Sequence, residues 1–305
     1  MWRFIARRLV ELAPTLLAVA TITFFLVRLA PGGPFDAERQ VQPEVLERLK
    51  DHYNLNAPIY RQYLDYMFGL FRGDLGISFS KPSYTVTELI LLRLPVSLEL
   101  GAYALLVALG IGLGAGLLAS LKPNSLLDHA PMSLAMIGIC LPSFVLGPLL
   151  LLMFSEKLAW FPVMGWETPA DKVLPSLTLG AVYAAYIARL TRGGMLEVLS
   201  QDYIRTARAK GLRESRVVLE HGLRGGMQPV VAFLGPATAR LLTGSFVVET
   251  IFWIPGLGRD FVGAAFNRDY PLIMGTVLVY AVFVLVLNLA ADIAQAWLDP
   301  RVRRA

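Results

Sequence analysis

An all-α integral membrane protein with six transmembrane helices, and a small helical segment outside the membrane after the first, is the fold class that the sequence predicts. Three observations lead there. Hydrophobic residues make up 55% of the 305 positions and charged residues 17%, against about 25% charged in a typical soluble domain. Six apolar stretches approach the roughly 20 residues that cross a bilayer as a helix. The basic residues gather in alternate connecting segments, as Lys and Arg do when they are retained on the cytosolic side. The net charge of +5 therefore reflects topology, and no nucleic-acid partner is expected.

The six stretches run over Leu9–Leu29, Ser97–Leu121, Pro131–Phe154, Val173–Arg189, Pro229–Phe252 and Leu272–Trp297, the fourth being the shortest. The first follows Met-Trp-Arg-Phe-Ile-Ala-Arg-Arg, similar to the basic start of a signal peptide, and Ala18-Val19-Ala20 offers a small-residue cleavage pattern. A removable signal has a shorter apolar core of about 7–15 residues, so an uncleaved helix is expected.

With a cytosolic N-terminus and six alternating spans, cytosolic segments hold 15 Lys and Arg, eight of them between Arg189 and Arg224. The two short outer loops hold four: Lys157, Lys172, Arg259 and Arg268. Both termini are thus expected in the cytosol. The divisions are 1–30, the N-terminus and first helix; 31–95, a periplasmic helical segment; 96–298, a five-helix core with a cytosolic loop at 190–228; and 299–305, a cytosolic tail. Within 31–95, Pro43–Tyr53 alternates apolar and charged residues at helical spacing, and Pro58–Phe71 is aromatic-rich, suited to the membrane interface. Arg72-Gly73-Asp74 reads as turn chemistry.

Chemistry is scarce. The chain lacks a Gly-Lys dipeptide, and so lacks the phosphate loop of an ATPase. It has no H-E-x-x-H zinc site and no G-x-S-x-G elbow. The three histidines are far apart, and the single cysteine, Cys140, is expected as a small buried hydrophobe. No metal or cofactor is expected on this chain. In the second span Gly110/Gly114 and Gly112/Gly116 form overlapping G-x-x-x-G spacings that allow close helix packing, within the subunit or against a partner. Pro142 and Pro148 are expected to kink the third span.

Ionisable residues within spans are costly and are functional candidates. Glu11, Arg28, Glu99 and Asp292 lie near span ends and can reach water. Arg240 lies eleven residues past Pro229, about 16 Å along a helix and near mid-membrane. It should face a water-filled path, attracting an anionic group such as a peptide carboxylate, or pair with an acid.

The segment from Arg192 to Arg224 forms a helix, a break at Gly211, where glycine supplies the positive φ that ends a helix, and a short return helix over about Glu214–Leu223. This elbow is either a docking surface or a basic loop that sets topology. Its Asp202-Tyr203-Ile204-Arg205-Thr206-Ala207-Arg208-Ala209-Lys210-Gly211-Leu212 closely resembles the cytosolic signature of peptide permeases in ABC importers. The resemblance covers nearly the whole chain. It includes Arg7-Arg8, Leu29-Ala30-Pro31-Gly32, Gly73-Asp74-Leu75-Gly76, Thr191-Arg192-Gly193, Glu249-Thr250-Ile251 with Pro255-Gly256-Leu257-Gly258, Arg268-Asp269-Tyr270 and Asp299-Pro300-Arg301. It is similar above all to the first permease of an oligopeptide system, with a dipeptide system next. Gly222 departs from the family's usual alanine, which implies a shorter or looser return helix.

The resemblance implies a type I ABC importer permease (MetI-like) fold in the bacterial inner membrane. It implies a second homologous permease forming a heterodimer, two cytosolic ATPase domains carrying ATP and Mg, a periplasmic or lipid-anchored solute-binding protein, and surrounding membrane lipid. ATPase coupling then falls to Ile204, Arg205, Thr206, Ala207, Arg208, Ala209, Lys210 and Gly211, and the chain itself is no enzyme. An ion-driven secondary transporter would instead need coupling acids or polar sites deep in the membrane, and an intramembrane enzyme would need a catalytic pair. Receptors and channels share such topology, and close relatives within the family carry other cargo such as nickel.

Overall fold

The computed structural model describes residues 2–30, 32–34, 47, 48, 50, 51, 53–242 and 246–298. Among these the regular structure is helical, apart from one isolated antiparallel bridge between Ile77 and Thr85. The elements are α1 (Trp2–Leu29), α2 (Ile59–Phe71), α3 (Val86–Leu121), α4 (Leu126–Cys140), α5 (Ser143–Leu150, continued by a π-helical turn over Leu151–Lys157) and α6 (Pro169–Leu199). They continue with α7 (Asp202–Ala209), α8 (Glu214–Arg216), a π-helical turn over Val217–Gly222, α9 (Leu223–Gly226), α10 (Gln228–Leu242), α11 (Phe246–Ile251), α12 (Leu257–Phe266) and α13 (Tyr270–Leu298).

Among the described residues, five segments are long and apolar enough to cross a membrane: Val10–Leu29, Val86–Leu121, Pro169–Leu199, Gln228–Ile251 and Tyr270–Ala290. The remaining expected span is a bent pair of helices and not one rod. Leu126–Cys140 and Ser143–Lys157 meet at an angle of 111°, because Leu141 adopts an extended conformation before Pro142, which caps α5. A residue before proline is driven out of the helical region by the ring, so the break falls at Pro142, whereas Pro148 sits inside α5. Cys140, at this corner, is exposed rather than buried.

The shortest apolar stretch becomes one of the longer helices. α6 extends past it at both ends, starting from a capping box between Thr168 and Asp171. α3 likewise starts at Val86, ahead of its apolar run. Much of Pro43–Tyr53, including Val45, Leu46 and Leu49, lies outside the described residues, while the aromatic Pro58–Phe71 segment forms α2 as expected.

The chain divides into two compact units, Ser97–Ile254 with Val286–Ala305, and Trp2–Val96 with Pro255–Leu285. In the first, small residues let helices close in. Ala108, Ala184, Ile187 and Val230 form a buried cluster, and a Cβ added at Gly112 would sit 2.7 Å from the Ala184 carbonyl oxygen. The two glycine spacings of α3 therefore separate: Gly112 and Gly116 press on α6, whereas Gly110 and Gly114 face open space.

In the second unit, Val86, Leu89, Ile90, Leu257, Ala264 and Leu272 form the core. The buried Asp269 begins α13, accepting hydrogen bonds from Ser78 Oγ at 2.5 Å, Ser80 Oγ at 2.7 Å and the Leu272 N–H at 3.2 Å. Arg28 does not simply reach for water. Its guanidinium lies 3.5 Å from the Phe24 ring centroid and donates to Gln62 Oε1 at 3.1 Å.

Candidate functional site

The elbow follows from a few residue choices. α7 is amphipathic: Ile204 and Ala207 are buried and join Val217, with Leu199 and Leu212 packed alongside. Arg205, Thr206, Arg208, Ala209 and Lys210 lie on the exposed side. Gly211 has φ of +78° with nothing within 4 Å of a Cβ placed there, so glycine is needed for backbone conformation and not for room. Its N–H bonds the Arg208 carbonyl at 2.9 Å. Arg208 then spans the bend, donating from Nε and Nη2 to the two Glu214 carboxylate oxygens at 3.1 and 2.6 Å. These hydrogen bonds hold the Glu214 carboxyl below the usual carboxylate range. Of the eight expected coupling residues, two thus face the elbow's own core and six face outward.

The return segment is tighter than the glycine substitution implies. A Cβ at Gly222 would lie 3.1 Å from Met195 Cε and 3.3 Å from Leu199 Cδ2, and one at Gly225 would lie 3.0 Å from Val198 Cγ2. Gly222, Gly225 and Gly226 let the return chain press onto the end of α6. The backbone absorbs the fit with the π-helical turn at Val217–Gly222, a deviation that often marks functional segments.

Charges within the first unit are organised in pairs, with exceptions. Glu99 is bonded to Lys172 and accepts the Trp166 Nε1–H at 2.8 Å. The buried Asp128 carboxylate holds Arg192 through both oxygens. Arg189, one turn back on α6, has Met136 Sδ at 3.8 Å as its contact and meets no carboxylate among the described residues. Arg240 is exposed and lies within electrostatic reach of Tyr183, whose ring neighbours Phe233 at 6.5 Å; Tyr186 approaches the same ring at 5.8 Å. Sequence reasoning singled out Arg240 and missed both Arg189 and the Asp128–Arg192 pair, because residues 64 apart carry no local signal of contact. Among the described residues no three His, Cys, Asp or Glu side chains converge as metal ligands.

Several long apolar helices and a folded cationic elbow are features that a transporter's membrane subunit shares with receptors and channels. Comparison with known proteins carries this to a family. Residues 110–304 match the family described as binding-protein-dependent transport system inner membrane component, and residues 1–101 match its N-terminal counterpart. The chain belongs to this family of inner-membrane transport permeases, whose members work with ATP-hydrolysing subunits and a solute-binding protein. It is 45% identical over 305 residues to the oligopeptide transport system permease protein OppB of Salmonella typhimurium, covering 99% of this chain and 100% of that one. It is 43% identical over 303 residues to the dipeptide transport system permease protein DppB of Bacillus subtilis, covering 99% and 98%. The fold resembles the inward-facing MetNI methionine ABC transporter, with a TM-score of 0.58 and 20% identity over 70% of this chain and 97% of that one.

Proposed function

We propose that this chain forms half of the transmembrane pathway of an ATP-binding-cassette importer for peptides, paired with a second homologous permease and with both termini in the cytosol. Partner ATPases carrying ATP and Mg perform the hydrolysis, and this chain contributes no catalytic group or cofactor site. The observation that carries the mechanism is the construction of the elbow. Ile204 and Ala207 fasten it to the end of α6 through Leu199, so a push on its outer face moves the bundle with it. Arg205, Thr206, Arg208, Ala209, Lys210 and Gly211 present that face to the ATPase. Closure of the ATPase pair on nucleotide then shifts the bundle between two packings as a rigid body.

Full-length identity to oligopeptide and dipeptide permeases supports the peptide assignment. Arg240 suits a wall of the pathway, since an arginine near mid-membrane is tolerated where water reaches it. The decisive experiment reconstitutes the chain with its partner permease, ATPases and binding protein in liposomes. ATP-dependent peptide uptake is expected, with Arg240→Ala slowing it. Uptake by this chain alone, driven by an ion gradient, would overturn the reading.

A further inference from the structure

Between α4 and α6 lies a cleft of about 400 Å³, lined by Asp128, His129, Met132, Met136, Arg189 and Arg192. Its two arginines are not equivalent. Arg192 is held by both oxygens of Asp128 at 2.5 and 2.7 Å, so its charge is matched within the wall. Arg189 is exposed, and its guanidinium rests beside Met136 Sδ. The cleft therefore presents one uncompensated guanidinium beside the Met136 thioether, with Met132 also in its lining.

We propose that this cleft receives the terminal carboxylate of the transported peptide on its way to the cytosol, with Arg189 as the residue that binds it. The inference rests on the peptide reading above and assigns that pathway a second cationic station after Arg240. The chemistry fits such cargo. Peptides of differing sequence share one carboxylate, and a guanidinium offers it a matching planar pair of donors. Their side chains differ, and Met132 and Met136 supply unbranched, polarisable surface that adapts to unlike shapes. Position agrees. Arg189 lies twenty residues into α6, about 30 Å along the helix, in the third of α6 nearest the elbow.

The face of α6 that bears it is continuous with the Arg240 region. Tyr183, Tyr186 and Arg189 form an i, i+3, i+6 row, its tyrosines beside Phe233 and Tyr183 within reach of Arg240. A lipid-facing row would not lead to an arginine at mid-membrane.

The test compares wild type, Arg189→Gln and Arg189→Lys in the reconstituted complex, measuring uptake of one tripeptide as the free acid and as the C-terminal amide. In Arg189→Gln the preference for the free acid should fall roughly tenfold, as expected for losing a charge-assisted hydrogen bond. Arg189→Lys, which keeps the charge but loses the planar pair of donors, should retain part of it. Equal slowing of acid and amide, or a lysine variant as impaired as glutamine, overturns the proposal. Equal slowing that appears only with anionic lipid in the vesicles assigns the cleft to a lipid headgroup and overturns it too. If wild type does not carry the amide, the lysine–glutamine contrast on the free acid decides. Failure of wild type to take up any peptide would sink the peptide reading itself, before any variant is made.

Discussion

Asp128 and Arg192, 64 residues apart, form a two-pronged ion pair in which Nε meets Oδ1 at 2.5 Å and Nη2 meets Oδ2 at 2.7 Å, with the carboxylate side chain only 1% exposed. The pair ties the start of α4 to α6, and the Asn124 N–H adds a third hydrogen bond at 2.9 Å. Removing one partner strands the other charge. Arg192 keeps 30% exposure, so the cost of Asp128→Asn should fall below the range for fully buried pairs, at about 2 kcal/mol. Thermal unfolding of the purified protein in detergent checks this, and Arg192→Leu in the same chain should recover part of the loss. An unchanged midpoint in Asp128→Asn would contradict the role.

Gly222 sets how closely the return segment approaches α6. Gly222→Ala meets the flexible end of Met195 and should cost less than about 1 kcal/mol, whereas Gly222→Leu should cost about 1–3 kcal/mol through overpacking. In the reconstituted complex the leucine variant should hydrolyse ATP while importing little. Full import by Gly222→Leu would show that this contact does not transmit the stroke.

Gly211 makes a different demand. Space is open around it, but its φ of +78° penalises residues that avoid the left-handed region, by about 1–2 kcal/mol. Gly211→Asn should retain uptake, because asparagine visits this region, while Gly211→Val should uncouple ATP hydrolysis from uptake. Equal uptake by the two variants would refute the conformational argument.

The Arg208–Glu214 bridge gives the elbow an acid limit. Glu214 is held below its ordinary value chiefly by its hydrogen bonds to Arg208. A depressed carboxyl stabilises the folded elbow fully above the unfolded value, about 4.3, and that contribution disappears as pH falls through the lower folded value. Both side chains are largely exposed, so the effect is small. Hydrogen-exchange protection of the amides around Ile204–Leu212 should drop on acidification below about pH 4 in wild type. In Arg208→Gln it should already be lower at neutral pH and change less with acid.

The glycines of α3 should separate in the same way as their surroundings. Gly112→Leu would collide with α6 and should abolish stable expression. Gly110→Leu meets nothing within 4 Å and should leave the folded subunit intact in a detergent melt. Matching losses from both substitutions would show that the two spacings pack alike.

The spans were legible because apolar length is a property of contiguous sequence. Gly211 was legible for the same reason, being a local break in a helical pattern. The fold departs where contact reaches across the chain. α6 looks short in composition because Lys172, Arg189 and Arg192 interrupt its apolar run, yet each is accommodated by a partner or a cleft on a neighbouring element. Gly222 reads in the sequence as a weak point of a helix, yet Met195 packs against it. Proline signalled a kink in the third span, but not its size of 111°.

That corner has a chemical consequence. Backbone carbonyls released from a helix at membrane depth are tolerated only against protein or water, so the corner at Leu141 should mark one or the other. The chain's sole thiol, Cys140, sits exposed beside it, a native attachment point for a small reagent. A polar maleimide that reacts only when water reaches the bend would report, from the unmodified sequence, when the route past this corner is wet and when it is sealed.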